Sequence, residues 1–186
     1  MIAFVTAANN FTDEAQQLVQ RLFPTLSAAK TFRFENIPAV SGNKDVFEID
    51  NDASVADDVL PHFVVRGNSA VSMAAGVGWY LKQFAHVQLS WTGDQTIAAQ
   101  SPSSLPRLTS AIHIEAQSQW SYYMNTCTHS YSTAWWDWSR WQREIDWMAL
   151  NGINLPLAFT GQEYIWKLLW NEFRITYAEL VPLFSG

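Results

Sequence analysis

The length, composition and charge of the chain exclude several classes of protein. Its 186 residues suffice for one large domain or two small ones, and a hydrophobic fraction of 48% excludes an intrinsically disordered chain. The net charge of −6 comes without a basic patch, so no nucleic-acid partner is expected. No run of residues approaches the roughly 20 apolar positions of a membrane span, so no membrane partner is expected either.

Two features concern the cellular compartment. The chain contains one cysteine, Cys127, so an internal disulfide is excluded. Cysteine content therefore does not indicate whether the protein belongs to an oxidising or a reducing compartment. The short apolar run at the N-terminus lacks a basic segment in front of it, which argues against a signal peptide.

The first half of the chain predicts an α+β domain. A first helix over 12–23, with Thr12 as its cap, is predicted from helical spacing of four apolar residues, Ala15, Leu18, Val19 and Leu22. Strands are predicted at 31–37, where Phe32 and Phe34 alternate with polar residues, at 45–50 around Phe47 and Ile49, and at 63–65 and 87–91. A second helix is expected over 70–84, and this order is typical of one sheet with packed helices.

A stretch rich in Ser and Pro at 100–109 predicts a domain boundary. We therefore predict an N-terminal domain over 1–99, a linker region over 100–119 and a second domain over 120–186. Residues 112–115, inside the linker region, could add one more short strand to the first domain.

The second domain is predicted to alternate strands with helices. Its elements are expected at 120–125, 132–151, 153–159, 162–173 and 176–181. Ser132 or Thr133 is expected to cap the first of these helices, Thr160 the second, and Gly152 to terminate the first. Apolar strands with covering helices are typical of a parallel sheet, either doubly wound or closed into a (β/α)₈ barrel.

A polar loop follows the first strand of this second domain. Its reactive or hydrogen-bonding side chains include those of Asn125, Cys127, Thr128, His129 and Tyr131. Ligands of parallel α/β proteins bind at the carboxyl ends of the strands, so this loop is a candidate pocket wall, although an ordinary capped loop has the same pattern. Cys127 and His129 lack the further partners that a nucleophile–base pair or a metal site needs.

The carboxylates of the second domain have two interpretations. Glu144, Asp146 and Glu163 could supply the paired carboxyl groups of a glycoside hydrolase. Their spacing favours helix ion pairs of Glu144 with Arg140 and of Asp146 with Arg143. Glu163 lies at a predicted helix N-terminus, where a negative charge is stabilised by the helix dipole.

Six of the ten tryptophans lie between residues 122 and 166. Trp138 and Trp141 share a predicted helix face with Ile145 and Met148, so we interpret them as core residues rather than sugar-stacking platforms. Trp147, like Trp136, falls on another face and could pack on the first domain.

One long motif in this stretch resembles the α-N-acetylglucosaminidase family of retaining glycoside hydrolases. Its residues run from Tyr122-Tyr123-x-Asn125-x-Cys127-Thr128-x-Ser130-Tyr131-Ser132, through Trp135-Trp136-x-Trp138-x-Arg140-Trp141-x-Arg143-Glu144-Ile145-Asp146-Trp147, to Gly161-Gln162-Glu163. Upstream, Val65-Arg66-Gly67 and the Ala/Gly-rich helix with Trp79-Tyr80-Leu81 resemble the N-terminal domain of the family more loosely.

The resemblance implies a fold and a site. The expected fold class is α/β, with a small N-terminal α+β domain followed by the first two βα units of an incomplete (β/α)₈ TIM barrel. Asn125, Cys127 and Tyr131 are implied to contact a terminal N-acetylglucosamine. The two catalytic glutamates of the family come from later barrel strands and match no segment here, so the chain alone is expected to be inactive.

The resemblance also implies a biological setting. The family removes terminal α-linked N-acetylglucosamine, in animals from heparan sulfate in the lysosome, so a lysosomal or secretory location and a carbohydrate substrate are expected. A homo-oligomer of the full-length enzyme is possible, and no cofactor and no metal are implied. Two alternatives stay open, a non-catalytic carbohydrate-binding or interaction module and a β-hexosaminidase-like fragment.

Overall fold

A computed structural model describes residues 11–23, 30–56, 62–90, 93–94, 105–158 and 161–184. The predicted cap Thr160, Trp91 and the first residues of the Ser/Pro-rich stretch lie outside these ranges. The chain divides into two compact parts. One comprises residues Met1–Tyr123 with Asp137–Pro156, and the other comprises Met124–Trp136 with Leu157–Gly186.

The first part is built on a four-stranded sheet. Its strands are β1 (Phe32–Asn36), β2 (Val46–Asn51), β3 (Phe63–Gly67) and, later in the chain, β6 (Ile112–Glu115). The spatial order is β1-β3-β2-β6, in which β1 and β3 are parallel and β2 is antiparallel to both β3 and β6. The three strands predicted over 31–65 are thereby confirmed. Strand β3, which lies between β1 and β2, is a continuous apolar run in which Phe63, Val64 and Val65 are all buried.

The fourth predicted strand exists but does not belong to the main sheet, so its predicted place in that sheet is wrong. Within 87–91, β4 (Leu89–Ser90) pairs with β5 (Gly93–Asp94) in a separate two-stranded sheet. The main sheet takes β6 instead, which confirms the further short strand of the first domain predicted at 112–115. Leu105 and Leu108, from the region predicted as a linker, are buried in the core of the first part. The boundaries of the three predicted segments themselves stay a prediction.

Helix α1 (Phe11–Leu22) has the predicted buried face. Its buried residues are the four expected from helical spacing, Ala15, Leu18, Val19 and Leu22. The helix begins at Phe11, so Thr12 lies inside the first turn and the predicted cap is wrong. Asp13 and Glu14 lie in that turn, where the helix dipole favours negative charge.

Helix α2 (Ala70–Gln83) lies between the sheet and helix α3 (Trp138–Leu150). Ser69 and Ser72 form a capping box at its N-terminus, each hydroxyl oxygen accepting from the backbone N–H of the other residue. Gly76 faces the sheet, where an added Cβ would lie 3.1 Å from Val65 and 3.2 Å from Phe47. A small residue at this position therefore allows a close contact between the helix and the sheet.

The other side of α2 approaches α3 even more closely. A Cβ added to Gly78 would lie 2.1 Å from the carbonyl oxygen of Leu150, closer than any real side chain can approach. Gly152 follows α3 with a φ of +70°, a left-handed conformation that glycine adopts without steric cost, so its predicted terminating role is confirmed.

Two short parallel strands open the second predicted domain. Strand β7 (Tyr122–Tyr123) pairs with β8 (Leu155–Pro156) in parallel, and the chain passes from one to the other through α3. Helix α4 (Gln162–Glu172) follows β8, and α5 (Tyr177–Phe184) follows α4. The order β7–α3–β8–α4 is the predicted pair of βα units.

A polar contact ties these strands to the first sheet. The Asn154 side chain donates through Nδ2 to Asp45 Oδ2 and to the Gln119 carbonyl, each at 2.8 Å, and its Oδ1 accepts from Ser121 N at 2.8 Å. The second oxygen of Asp45 accepts from Ser69 Oγ at 2.6 Å. The Asn154 side chain thus bonds three residues of the first part, Asp45, Gln119 and Ser121.

A cluster of ion pairs lies on β1 and its neighbours. Arg33 donates to the carboxylate of Asp52 at 2.7 Å and also pairs with Glu35, which accepts from Arg66 at 2.8 Å. The bond from Arg33 holds the pKa of the buried Asp52 far below its usual value, with bonds from Ser54 adding to the effect.

This depressed pKa predicts a specific loss of stability in acid. Because folding favours the charged form of Asp52, its stabilising contribution is present above about pH 4 and is lost as the pH falls through the lower folded-state pKa. The free energy of unfolding, measured by urea titration from pH 7 to pH 2, should therefore fall for the wild type. The difference in the free energy of unfolding between the wild type and Asp52→Asn should become smaller over the same pH range. If this difference in the free energy of unfolding does not depend on pH, the ion pair with Arg33 does not stabilise the charged form of Asp52.

In the part of the chain that the structure describes, no helix combines the length and the apolar character that a membrane crossing requires.

Candidate functional site

Strand β7 leads into a tightly turned polar segment. Met124 directly follows the strand with a φ of +75°, and Asn125 begins a short 3₁₀ helix over Thr126–Ser130. The Asn125 Oδ1 atom accepts from the backbone N–H of Cys127 at 2.9 Å and of Thr128 at 3.2 Å. Asparagine suits this position because its short side chain can satisfy the first free N–H groups of a helix.

The three predicted sugar-binding residues lie within this one segment. Asn125 caps the 3₁₀ helix, Cys127 lies in it, and Tyr131 ends it by donating its backbone N–H to Thr128 O. All three side chains are exposed, Tyr131 by 60%. The Oδ1 of Asn125 is engaged locally, whereas its Nδ2 donates to no group within the described residues. The contact of these residues with a sugar stays a prediction.

Helix α3 begins later than the sequence pattern predicts. Asp137 caps it by accepting from Arg140 N at 2.9 Å, so the expected cap at Ser132 or Thr133 is wrong. Thr133 instead donates its backbone N–H to Thr128 O at 2.8 Å and is buried. The turn that follows the 3₁₀ helix therefore uses the residue that the pattern favours as a helix cap.

The carboxylates of α3 are structural. Glu144 is 1% exposed, and its two oxygens accept from Tyr123 Oη at 3.0 Å and from Arg140 at 2.9 Å. The predicted pair of Glu144 with Arg140 is thus confirmed. Asp146 is buried too, but it accepts both of its bonds from Arg21 of α1, at 2.6 and 2.8 Å.

The partner predicted for Asp146 is therefore wrong. Arg143 donates to the Ser90 carbonyl at 3.0 Å instead. The guanidinium of Arg21 offers two parallel donors to Asp146, a geometry that outcompetes a pair three residues apart on one helix. Glu163 lies in the first turn of α4, as predicted, although the capping residue is Gly161.

The tryptophans of α3 are less buried than expected. Trp138 is 68% exposed and Ile145 is 44% exposed, so the core role assigned to that face is wrong for these two residues. Met148, from the same predicted face, is buried. Trp147 packs on Tyr123 with ring centroids 5.4 Å apart and lines a cavity of about 670 Å³ together with Gly78 of α2.

Among the described residues, no group of three or more His, Cys, Asp or Glu side chains has the geometry of a metal site. Cys127 is an exposed free thiol. The described arrangement thus offers hydrogen-bond donors and an aromatic ring, which are the groups that recognise a neutral polar ligand.

Comparison with known proteins decides the family. The family sequence model of the α-N-acetylglucosaminidase N-terminal domain matches residues 13–107, which are half of the chain. The family sequence model of the TIM-barrel domain of the same enzymes matches residues 121–186. The chain belongs to the α-N-acetylglucosaminidase family. This membership confirms the predicted fold class, a small N-terminal domain followed by the beginning of a TIM-barrel domain. It also removes the alternative of a β-hexosaminidase-like fragment.

Individual members of the α-N-acetylglucosaminidase family agree with this assignment. Human α-N-acetylglucosaminidase is 45% identical over 122 residues, which are 66% of this chain and 16% of the human protein. A family 89 glycoside hydrolase from Clostridium perfringens, solved with 2-acetamido-1,2-dideoxynojirimycin, matches with a TM-score of 0.76 and 29% identity. That match covers 91% of this chain and 18% of the bacterial one.

A further structure of the Clostridium perfringens enzyme contains its substrate. This variant, with two glutamate-to-glutamine substitutions and bound GlcNAc-α-1,4-galactose, matches with a TM-score of 0.75 and 29% identity. The chain therefore spans less than a fifth of the length of these α-N-acetylglucosaminidase relatives.

Proposed function

We propose that this chain works as the N-terminal part of a retaining α-N-acetylglucosaminidase, which hydrolyses terminal α-linked N-acetylglucosamine of heparan sulfate-like glycans in the lysosome. The observation that carries the proposal is the match of both family domains along the chain. The domain organisation proposed with it has residues 1–99 as the N-terminal domain, 100–119 as the connecting region and 120–186 in the barrel domain. We further propose that the complete enzyme can form a homo-oligomer.

Within this function, the segment after β7 supplies one wall of the sugar pocket. Asn125 donates from Nδ2 to a sugar hydroxyl while its Oδ1 stays bound to Cys127 N and Thr128 N, so the donor is held by an ordered turn. Tyr131 contributes its hydroxyl and its exposed aromatic ring to the sugar. The small side chain of the exposed Cys127 leaves room for the sugar ring.

The chemical step requires two carboxyl groups about 5 Å apart, one as nucleophile and one as acid and base. The buried carboxylates of α3 do not meet this need, since Glu144 is bound by Tyr123 and Arg140, and Asp146 by Arg21. We assign both catalytic roles to glutamates outside this chain. The capture of substrate by a bacterial relative with two glutamates replaced supports a mechanism that uses two glutamates.

The proposal is tested with a chimera in which this chain replaces the corresponding segment of human α-N-acetylglucosaminidase. The chimera should hydrolyse 4-nitrophenyl N-acetyl-α-D-glucosaminide, and the isolated chain should show no turnover. Asn125→Asp keeps the oxygen that caps the 3₁₀ helix but removes the Nδ2 donor, so kcat/KM of the chimera should fall about tenfold or more.

Asn171→Asp is the matched control, because it makes the same substitution at an exposed position at the end of α4. Its kcat/KM should equal that of the unsubstituted chimera. Turnover by the isolated chain would overturn the assignment of the catalytic glutamates to other segments. Equal kcat/KM for the two substitutions would overturn the role of Asn125.

A further inference from the structure

Strand β6 forms one edge of the first sheet within the part of the chain that the structure describes. Its ladder with β2 is antiparallel, and the backbone N–H of Ala116 donates to the Asp45 carbonyl at 2.8 Å. Alternate residues of a strand direct their N–H and C=O groups to the same side, so every second residue of β6 counted back from Ala116 bonds β2. The N–H and C=O groups of His113 and Glu115 therefore point away from β2, at the outer edge of the sheet.

The two faces of β6 differ in polarity. Ile112 and Ile114 pack against the hydrophobic core of the first part. Because successive side chains of a strand alternate, His113 and Glu115 lie on the opposite face, where their side chains are 60% and 42% exposed. The same two residues thus supply the outward backbone groups and the exposed side chains of this edge.

Opposite charges alternate across the exposed face of the sheet as far as this edge. In the strand register, Glu35 of β1 lies opposite Arg66 of β3, and Arg66 lies opposite Glu48 of β2. Glu48 in turn lies opposite His113, which is a cation when protonated. Arg66 Nε donates to Glu35 at 2.8 Å, and His113 Nδ1 lies 3.1 Å from Glu48 Oε1. A further strand continues the row favourably if it places a carboxylate opposite His113.

A second copy of β6 supplies that carboxylate in one register. Antiparallel pairing about a two-fold axis at Ile114 places His113 opposite Glu115 of the other copy, twice. Each of these couples is also a hydrogen-bonded pair, since the N–H and C=O groups of both residues point outward. Lys44 Nζ lies 3.4 Å from Glu115 Oε1, which leaves Oε2 to accept from the other copy. An axis at His113 or at Glu115 brings like side chains together instead, which is unfavourable when they are charged.

We propose that the β6 edge is a self-association surface through which two copies of this chain pair in an antiparallel fashion, so that their sheets become continuous. Charged side chains at a sheet edge prevent such pairing when the two copies repel each other, whereas His113 and Glu115 are complementary to their own copy. The contact is short, so the dimer should be weak, with a dissociation constant of about 0.1 mM. The pairing needs no part of the glycosidase function proposed above, and its failure would leave that function untouched.

Residue-resolved hydrogen exchange on the 186-residue chain tests the pairing directly. The amides of His113 and Glu115 should exchange about three- to fivefold more slowly at about 1 mM than at about 10 μM, because they bond the other copy only in the dimer. The amide of Ile114 bonds β2 in either state and should change little. Self-association through any other surface leaves the first two amides unprotected, so exchange that does not depend on concentration at His113 and Glu115 would overturn the proposal.

Two substitutions of Glu115 should weaken the dimer. Glu115→Pro removes an outward N–H and no hydrogen bond between β6 and β2, so sedimentation equilibrium should lose its β6-dependent association while the circular dichroism spectrum is kept. Glu115→Lys keeps the backbone N–H and reverses the charge, so it should raise the dissociation constant about threefold or more, even if the proline variant does not fold. A folded Glu115→Pro variant that associates like the wild type would refute the role of this edge.

His113→Lys should strengthen the dimer and reports on the register. The lysine carries a permanent positive charge, keeps the interaction with Glu48, and lies opposite Glu115 of the other copy, so the dissociation constant should fall about three- to tenfold over the two pairs. Gln20→Lys is the matched control, because it adds the same charge at an exposed position of α1, which packs beside β1 at the other edge of the sheet. A dimer weakened by His113→Lys, or strengthened equally by Gln20→Lys, would contradict the proposed pairing.

Discussion

Glu144→Ala should lower the free energy of unfolding by about 3–5 kcal/mol, the usual cost of leaving a buried ion pair without one partner. The substitution leaves the Arg140 guanidinium without its carboxylate and the Tyr123 hydroxyl without its acceptor, since both now bond Glu144. It also opens a cavity at a position that is 1% exposed. Urea denaturation followed by circular dichroism measures the change directly.

Glu163→Ala is the matched control for this substitution. Glu163 is an exposed carboxylate in the first turn of α4, where its interaction with the helix dipole contributes about 0.3–1 kcal/mol. Removing it should therefore change the free energy of unfolding by no more than that amount. If Glu144→Ala costs as little as Glu163→Ala, the buried hydrogen bonds of Glu144 do not form in solution.

Gly78→Ala should destabilise the chain by about 1–3 kcal/mol, although alanine is the better helix former. The new methyl group would lie 2.1 Å from the Leu150 carbonyl oxygen and 2.9 Å from its carbon, so α2 and α3 must move apart. Backbone atoms cannot rotate out of the way as the end of a flexible side chain can. The loss should be visible as a lower midpoint of thermal unfolding.

Lys82→Ala, one turn further along α2, separates this packing effect from helix propensity. Lys82 is exposed, so its replacement by alanine should leave the unfolding midpoint nearly unchanged. A Gly78→Ala variant as stable as the wild type would show that α2 and α3 lie far enough apart in solution to accommodate the methyl group, so that the 2.1 Å contact with Leu150 does not occur.

The elements that sequence reasoning places correctly are those with a local cause. The buried face of α1 follows from helical spacing, β1 and β2 from alternation, β3 from a short apolar run, and the end of α3 from Gly152. The start of α3 is placed wrongly because Ser132, Thr133 and Asp137 all belong to the residue types that favour helix N-caps. The choice between them depends on the turn that Thr133 makes with Thr128.

The errors concern contacts between distant residues. The acceptor of Arg21 is Asp146, 125 positions later, and no spacing rule relates the two. The strand at 112–115 is predicted correctly, but no local pattern indicates its pairing with β2, because the other strands of the sheet end 45 residues earlier. The candidate site shows the same division. The sequence motif marks Asn125, Cys127 and Tyr131, whereas the bond from Tyr123 to Glu144 and the backbone of Met124 emerge from the fold.

The bonds of Asn154 have a consequence for the order of folding. Its amide reaches Asp45, 109 positions earlier, and Gln119, 35 positions earlier. Bringing together groups that are far apart in the sequence lowers the entropy of the chain. This loss is smaller when one of the groups is already held in place by earlier structure. Asp45 is held by Ser69 at the start of α2, beside strand β2. We therefore expect the first sheet and α2 to form early, as a template, and the β7–β8 pair to join it in a later and slower kinetic step.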